Sequence, residues 1–145
     1  GRAANSFEKV RLDADKIAKL KGKRLSAFLL LFGDIKSRNA RAQFARNLLG
    51  SGGFEIIEGA QTDDLMEALE GVKKSGAEVL VLCASNADYV REAKGICDQI
   101  KASSYQPVLV QAGKTADWKE CGVEEVIYAG MDVVAFLGKL VQNLS

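Results

Sequence analysis

The stretch "RLSAFLLLFGDIKSRNARAQF" (Arg24 to Phe44) leads from an apolar run through a short polar loop into a helical pattern. The run at 24–32 is almost continuously apolar, as expected of a strand that is covered on both faces of a parallel sheet. After the loop, Phe44, Leu48 and Leu49 recur at helical spacing. A buried strand that leads into a helix in this way indicates a parallel α/β domain, whose ligands bind beyond the carboxyl ends of the strands.

Short apolar runs alternate with longer amphipathic segments along the rest of the chain. This alternation predicts a parallel sheet with covering helices. An amphipathic helix precedes the first strand, with an apolar stripe formed by Phe7, Val10, Ala14 and Ile17. We predict strands at 24–32, 54–57, 77–83, 107–111 and 124–129, and helices at 38–50, 62–75, 86–102, 115–121 and 131–144.

Apolar stripes and capping residues support two further helices. We expect the stripe of the helix at 62–75 to comprise Leu65, Met66, Leu69 and Val72, and that of the last helix to comprise Val133, Phe136, Leu137, Leu140, Val141 and Leu144. Thr62 and Ser85 stand where N-caps belong, and Asp88 follows Ser85 by three residues. Glycines at 50–53 and Gly76 mark helix ends.

We expect a single α/β core, because 145 residues lie within the usual range of one domain. Five strands with intervening helices predict a flavodoxin-like doubly wound, five-stranded parallel sheet. The predicted N-terminal amphipathic helix and linker occupy 1–23, and the flavodoxin-like domain occupies 24–145. The chain begins with Gly instead of Met, so we expect it to be a piece of a longer protein.

The composition excludes several classes of function. The chain has no histidine and therefore offers no His-based triad, general base or metal ligand. Its 20 Lys and Arg residues balance 19 Asp and Glu residues, so no basic excess predicts a nucleic acid or membrane partner. The longest apolar run, at 25–32, is too short to span a bilayer. Three cysteines without close spacing favour a reducing cytoplasmic or organellar environment over a disulfide framework or a zinc site.

The residues that follow the predicted strands are the candidates for a binding site. They lie at 33–39, 59–62, 83–86, 111–114 and 129–132. A phospho-accepting receiver domain needs an Asp at the end of the third strand, where this chain has Cys83. A flavodoxin-type phosphate loop is rich in small residues, whereas "GDIKSRNA" contains Ile, Lys and Arg. We therefore expect neither a phosphorylation site nor an FMN site.

Over nearly its whole length the chain resembles the C-terminal, cobalamin-binding-type domain of methylmalonyl-CoA mutases. The resemblance rests on the N-terminal helix and on "ARAQFARNLLGSGGFE", "VLVLCASNADYVREA" and "GVEEVIYAGMDVVAFL". In cofactor-binding members, D-x-H-x-x-G follows the first strand and its His ligates cobalt. S-x-L follows the third strand, and G-G follows the fourth. The long match favours the branch formed by the small, non-catalytic (beta) subunit.

This sequence departs from all three motifs. Asp34 matches the motif Asp, but Lys36 replaces the His and Asn39 replaces the Gly. An ammonium group has no lone pair with which to ligate cobalt, and a side chain in place of Gly obstructs the close approach of a nucleotide tail. The resemblance thus implies a degenerate site without cofactor or metal in this domain. The vestigial positions are Asp34, Lys36, Asn39, Cys83, Ser85, Gln111 and Ala112.

Four basic residues gather near the start of the helix at 38–50, namely Lys36, Arg38, Arg41 and Arg46. Positive charge in a first turn opposes the helix macrodipole, so an anion or a carboxylate of a partner would offset it, although a solvated surface is the simpler interpretation. Asp34 is either a remnant of the motif or a helix cap, and we favour the cap. Lys36 is expected to pair weakly with Asp34.

The remaining candidates are cysteines and aromatic residues. Cys83 and Cys97 are expected to be inert core thiols, because the chain has no His to activate them. Trp118 is expected to be a packing residue on the short helix at 115–121. Tyr89 and Tyr128 lie near the predicted functional edge and are candidates for filling the space of a cofactor.

The resemblance implies a structural domain within an isomerase. The whole enzyme interconverts succinyl-CoA and (R)-methylmalonyl-CoA, with adenosylcobalamin held in a large catalytic subunit that forms a heterodimer with the small one. Its expected location is the bacterial cytoplasm. Two alternatives stay open: a cobalamin-binding domain that takes the cofactor without a protein axial His ligand, and a stand-alone module that binds a ligand or a partner.

Overall fold

The computed structural model describes residues 2–145, with side chains described from residue 6 onward. In chain order the elements are α1 (Arg2–Lys21), β1 (Ser26–Leu31), α2 (Ile35–Ser51), β2 (Glu55–Glu58), α3 (Leu65–Ser75), β3 (Val79–Cys83), α4 (Asn86–Lys101), β4 (Val108–Ala112), β5 (Glu125–Ile127) and α5 (Val133–Asn143). The five strands form one parallel sheet in the order β2-β1-β3-β4-β5. The flavodoxin-like prediction is confirmed.

The strand order places a topological switch point between β1 and β3. From β1 the chain crosses to β2 on one side and then returns to β3 on the other, where Leu31 lies opposite Cys83. The loops that leave β1 and β3 therefore diverge to opposite faces of the sheet. In open α/β sheets this divergence opens the crevice in which ligands bind.

Helices cover both faces of the sheet, which explains why the strands do not alternate between apolar and polar residues. One core joins residues of α1, α2 and α5 to Val79, Val81 and Cys83 of β3. The other joins residues of α3 and α4 to Leu80 and Leu82 of the same strand. Every residue of β3 is fully buried, because successive side chains point to opposite faces of the sheet and both faces are covered by helices.

Helix α1 packs within the first of these cores. Val10, Ala14 and Ile17 are buried in the cluster that also contains Leu137 and Val141 of α5. These three residues of α1 are among the four that the sequence predicts for its apolar stripe, and the fourth, Phe7, packs partly buried against the same cluster. The helix is thus held by burial of its apolar side against α5.

The structure corrects the prediction of a helix at 115–121. The segment between β4 and β5 forms turns, with isolated backbone bonds from Cys121 N to Asp117 O (3.1 Å) and from Gly122 N to Lys119 O (3.0 Å). A single turn fixes several dihedral angles for very few hydrogen bonds and does not propagate as a helix. Trp118 still packs against the second core, as a turn residue.

Two details of α3 were also predicted wrongly. Its N-cap is Asp64, whose carboxylate accepts hydrogen bonds from the backbone N–H groups of Met66 (3.0 Å) and Glu67 (3.3 Å). Thr62 lies two residues before this cap, and its hydroxyl accepts a hydrogen bond from the N–H of Asp64 at 3.1 Å. Because the helix begins at Leu65, Met66 falls in its first turn and is 54% exposed instead of buried.

Among the described residues, none of the helices combines the length and apolar character that crossing a membrane requires.

Candidate functional site

The candidate site is the carboxyl edge of the sheet, where β1, β3 and β4 end. Of the seven vestigial positions, Asp34, Lys36 and Asn39 lie on the β1–α2 loop and the first turns of α2, and all three are exposed. Cys83, Gln111 and Ala112 lie within strands and are fully buried. Ser85 lies between them, at the start of α4. The fold brings all seven to one edge, but at different depths.

Two of these positions are helix caps. The Asp34 carboxylate accepts a hydrogen bond from the N–H of Ser37 at 3.0 Å, and this bond is the main reason why the pKa of Asp34 is lowered. The Ser85 hydroxyl accepts from the N–H of Asp88 at 3.1 Å. Both predicted caps are confirmed, and each satisfies a backbone donor that the helix itself leaves unpaired.

Asp88 joins the loops that leave β1 and β3. Its Oδ2 accepts hydrogen bonds from the N–H of Asp34 at 2.9 Å and from the hydroxyl of Ser85 at 2.6 Å, and Arg91 pairs with its Oδ1. The Asp88 side chain is only 6% exposed. Space for it exists because Gly33 has no side chain, and a Cβ there would overlap the Asp88 carboxylate. Asp88 therefore anchors the β1–α2 loop to α4.

Arg41 makes a second connection across the edge: it reaches from α2 toward α4, whereas Asp88 reaches from α4 toward the β1–α2 loop. It belongs to α2, which packs on one face of the sheet, and it reaches the loop after β3 and helix α4 on the other face. Its Nη1 donates to the carbonyl oxygen of Ala84 at 2.5 Å, and its Nη2 donates to Oδ1 of Asn86 at 2.8 Å. The guanidinium lies over the ring of Tyr89, 5.4 Å from the centroid. One side chain thus spans the switch point.

Gly113, directly after β4, provides the room for this guanidinium. Its φ is +96°, and a Cβ placed on it would lie 2.5 Å from Cζ of Arg41. The absence of a side chain at Gly113 therefore leaves room for the guanidinium of Arg41. The space that would let a ligand approach the backbone after β4 is occupied by Arg41.

Tyr89 fills the interior side of the crevice, next to the ends of β3 and β4. Its hydroxyl lies 2.6 Å from the carbonyl oxygen of Ala112 and 2.9 Å from that of Leu82, and it accepts from the N–H of Ala84 at 3.0 Å. Tyr89 is 2% exposed, and burial raises the pKa of its hydroxyl above the usual range. The other candidate, Tyr128, is 39% exposed with Lys114 over its ring at 5.5 Å. Of the two tyrosines, only Tyr89 fills the crevice.

The four basic residues do not form one cluster. Arg41 points into the crevice, and Arg46 pairs with Glu58 of β2 at 2.7 Å. Arg38 donates to the carbonyl oxygen of Gly33 at 3.3 Å. Among the described side chains Lys36 forms no ion pair within 4 Å, and its expected interaction with Asp34 is limited to a small contribution of its charge to the lowered pKa of Asp34. Lys36 and Arg38 remain near the surface.

The buried positions offer no reactive group. Burial raises the pKa of the Cys83 thiol to about 12 and that of the Cys97 thiol to about 11, which agrees with the expectation of inert core thiols. Gln111 donates through Nε2 to the carbonyl oxygen of Gly113 at 2.9 Å and to Oγ1 of Thr115 at 3.0 Å. Among the described residues, no group of three or more His, Cys, Asp or Glu side chains is placed to hold a metal ion.

The open space at this edge lies to one side of the switch point. A cleft of about 230 Å³ separates the loop after β1 from the loop after β2, and its lining includes Gly33, Arg38, Thr62 and Asp63. The switch point itself is filled by Arg41 and Tyr89. Sequence reasoning singled out Arg41 as a solvated charge or a contact to an anion or partner, although its spacing to Ala45 and Leu48 continues the buried stripe of α2.

The fold and this edge define a flavodoxin-like α/β domain whose crevice at the switch point is occupied by its own side chains. Comparison with curated proteins gives a consistent set of relatives. The chain is 31% identical over 137 residues to the methylmalonyl-CoA mutase small subunit of Streptomyces virginiae, an alignment that covers 94% of this chain and 21% of that protein. Over nearly its whole length the chain is therefore similar to one part of methylmalonyl-CoA mutase small subunits.

Two further relatives carry the same description. The methylmalonyl-CoA mutase small subunit of Porphyromonas gingivalis is 26% identical over 136 residues, covering 94% of this chain and 21% of the relative. The probable methylmalonyl-CoA mutase small subunit of Mycobacterium tuberculosis is 28% identical over 144 residues, covering 99% and 23%. The chain spans about a fifth of the length of these curated relatives. No protein-family model matches it.

Proposed function

We propose that the chain is a non-catalytic, structural domain of a methylmalonyl-CoA mutase small subunit. In this proposal it binds no cofactor, and it supports a heterodimer with a large catalytic subunit that holds adenosylcobalamin and interconverts succinyl-CoA and (R)-methylmalonyl-CoA. The observation that carries the proposal is Arg41 at the switch point, because a cofactor tail and this guanidinium would require the same space beside Gly113.

The chemistry of the site residues supports the same proposal. Lys36 stands where a cobalt ligand would be required, and its ammonium carries three donors and no lone pair. Gln111 and Ala112 are fully buried; Nε2 of Gln111 donates to Gly113 O and Thr115 Oγ1, while its Oε1 has no hydrogen-bond partner among the described residues. These residues do not fit a cobalamin site with an axial ligand from the protein.

The test is titration of the 145-residue chain with hydroxocobalamin, followed by the visible absorption spectrum. We expect no saturable spectral change and no retention of the cofactor on gel filtration. Saturable binding in the micromolar range would overturn the proposal in favour of a domain that binds cobalamin without an axial His.

Lys36→His serves as the matched variant, because it restores the imidazole but leaves Arg41 in the crevice. We expect this variant to bind hydroxocobalamin no better than the wild-type chain. Tight binding by Lys36→His would mean that only the missing ligand, and not the filled crevice, excludes the cofactor.

The partner role is tested in the complete small subunit. Lys36 and Arg38 lie at the start of α2 and form no ion pair within 4 Å with a described carboxylate. If they face acidic groups of the large subunit, Lys36→Glu together with Arg38→Glu weakens heterodimer formation and reduces its salt dependence. Arg46→Glu is the control, because Arg46 is already paired with Glu58. Unchanged affinity and salt dependence would remove these residues from the interface.

A further inference from the structure

The contacts of Arg41 differ from those of an ordinary surface arginine. Its guanidinium donates to two different neutral oxygens, Ala84 O at 2.5 Å and Asn86 Oδ1 at 2.8 Å, and makes no ion pair with any described carboxylate. The aromatic ring of Tyr89 lies beneath it at 5.4 Å. Carbonyl oxygens and the face of an aromatic ring are the groups that attract a cation without neutralising it.

The shape of the crevice selects a planar cation. The Gly113 backbone lies close against the guanidinium, since even a methyl group on that glycine would come within 2.5 Å of Cζ of Arg41. A flat group can lie against this backbone and over the Tyr89 ring while it donates in its own plane to Ala84 and Asn86. A tetrahedral ammonium cannot present two coplanar donors and stack on a ring at the same time.

We propose that the crevice at the switch point is a binding site for a planar guanidinium-type cation, and that Arg41 occupies it as an intramolecular ligand. The site is built from Ala84, Asn86, Tyr89 and Gly113, on three different loops and helices of the edge. This inference does not depend on the role of the domain in a mutase, because it concerns only what the crevice accepts.

The test is chemical rescue of Arg41→Ala by methylguanidinium. At roughly 10 mM methylguanidinium chloride we expect the Tm of Arg41→Ala to rise by about 3 °C. Methylammonium chloride at the same ionic strength is expected to have no such effect. Wild type and Arg46→Ala are the protein controls, since both keep Arg41 in place. An equal response of all three chains, or none in Arg41→Ala, would overturn the proposal.

Asn86→Ala in the Arg41→Ala background tests the location of the bound cation. Asn86 is exposed, so its truncation leaves the core intact, but it removes one of the two acceptors. We expect the Kd of methylguanidinium to increase about tenfold. An unchanged Kd would place the cation elsewhere and overturn the assignment.

A measurement on the wild-type chain covers the case in which Arg41→Ala does not fold. A bound guanidinium rotates slowly about its Cζ–Nη bonds and exchanges its protons slowly with water. We expect the Arg41 Nη resonances in nitrogen-15 NMR to be resolved at low temperature, and those of exposed Arg11 to be averaged. Averaged Arg41 resonances would show that the guanidinium is not held, and the proposal would fail.

Discussion

Asp88 and Gly33 lie so close together that a Cβ on Gly33 would overlap the Asp88 carboxylate. Gly33 also has a φ of +76°, a conformation that residues with a Cβ rarely adopt. The backbone conformation and the neighbouring carboxylate therefore both require glycine. The consequence is a fixed distance between the end of β1 and the start of α4, which are the two sides of the switch point.

Gly33→Ala tests this relationship. The backbone conformation alone costs about 1–2 kcal/mol, and displacement of the Asp88 carboxylate adds to it, so we expect a loss of at least about 2 kcal/mol in the free energy of unfolding. Urea denaturation measures it. Gly130→Ala is the matched control, because Gly130 has a φ of +90° but nothing within 4 Å of its would-be Cβ. Equal losses in the two variants would contradict a role for the contact with Asp88.

Acid should weaken the bridge made by Asp88. The hydrogen bond from the Ser85 hydroxyl lowers the pKa of Asp88 most, the N–H of Asp34 and the charge of Arg91 lower it further, and burial opposes them. A carboxylate whose pKa is depressed by folding stabilises the chain above its unfolded pKa of about 3.9 and loses this contribution as the pH falls through the folded pKa.

Asp88→Asn makes this dependence measurable. We expect the difference in Tm between wild type and Asp88→Asn to be widest above about pH 5 and to shrink as the pH falls below about 4. Thermal unfolding by circular dichroism across that range provides the data. A difference that stays constant down to pH 2 would show that the charge of Asp88 contributes nothing.

Arg41 and Gly113 should be energetically coupled, because a Cβ on Gly113 would displace the guanidinium. We expect Gly113→Ala to cost more in the wild-type chain than in Arg41→Ala, where only the strain of a φ of +96° remains. A coupling of about 0.5–3 kcal/mol is typical of residues in direct contact. The four free energies of unfolding form a double-mutant cycle, and additive effects would place Arg41 outside the space beside Gly113.

The Tyr89 hydroxyl should contribute more than an ordinary tyrosine hydrogen bond. Tyr89→Phe removes a buried hydroxyl that accepts from the N–H of Ala84 and has a single proton to donate to one of two nearby carbonyl oxygens, so we expect a loss of about 2–3 kcal/mol. Tyr105→Phe is the control, because its half-buried hydroxyl donates to Ala77 O at 2.6 Å and interacts with Ser75, and its loss should cost about 1 kcal/mol. Losses of the same size would mean that Tyr89 does not seal the edge.

The thiols should differ in their reactivity. Cys83 and Cys97 are fully buried, whereas Cys121 is half-buried in the turn after β4. We expect a thiol reagent at pH 8 to modify Cys121 in the native chain and all three cysteines after denaturation. Cys121→Ser should abolish the native reaction. Rapid modification of Cys83 would show that the core opens at the carboxyl edge.

Much of the fold follows from local sequence signals. The five strands, α1, α2, α4 and α5 were predicted to within a few residues, because continuous apolar runs, helical stripes and caps such as Asp34 and Ser85 act over short distances along the chain. The predicted helix at 115–121 was wrong, because so short a segment gains too few hydrogen bonds to offset the cost of starting a helix.

The sequence alone determined the strand and helix order, the caps, and the absence of histidine that removes imidazole chemistry. It also showed that Lys36 stands where the related motif has a ligand. Only the tertiary structure decided that Arg41 fills the crevice and that Asp88 fills the space over Gly33. Arg41 and Ala84 are 43 positions apart, and Asp34 and Asp88 are 54 apart. Such residues meet only because β1 and β3 are neighbours in the sheet, and no periodicity within either segment encodes that pairing.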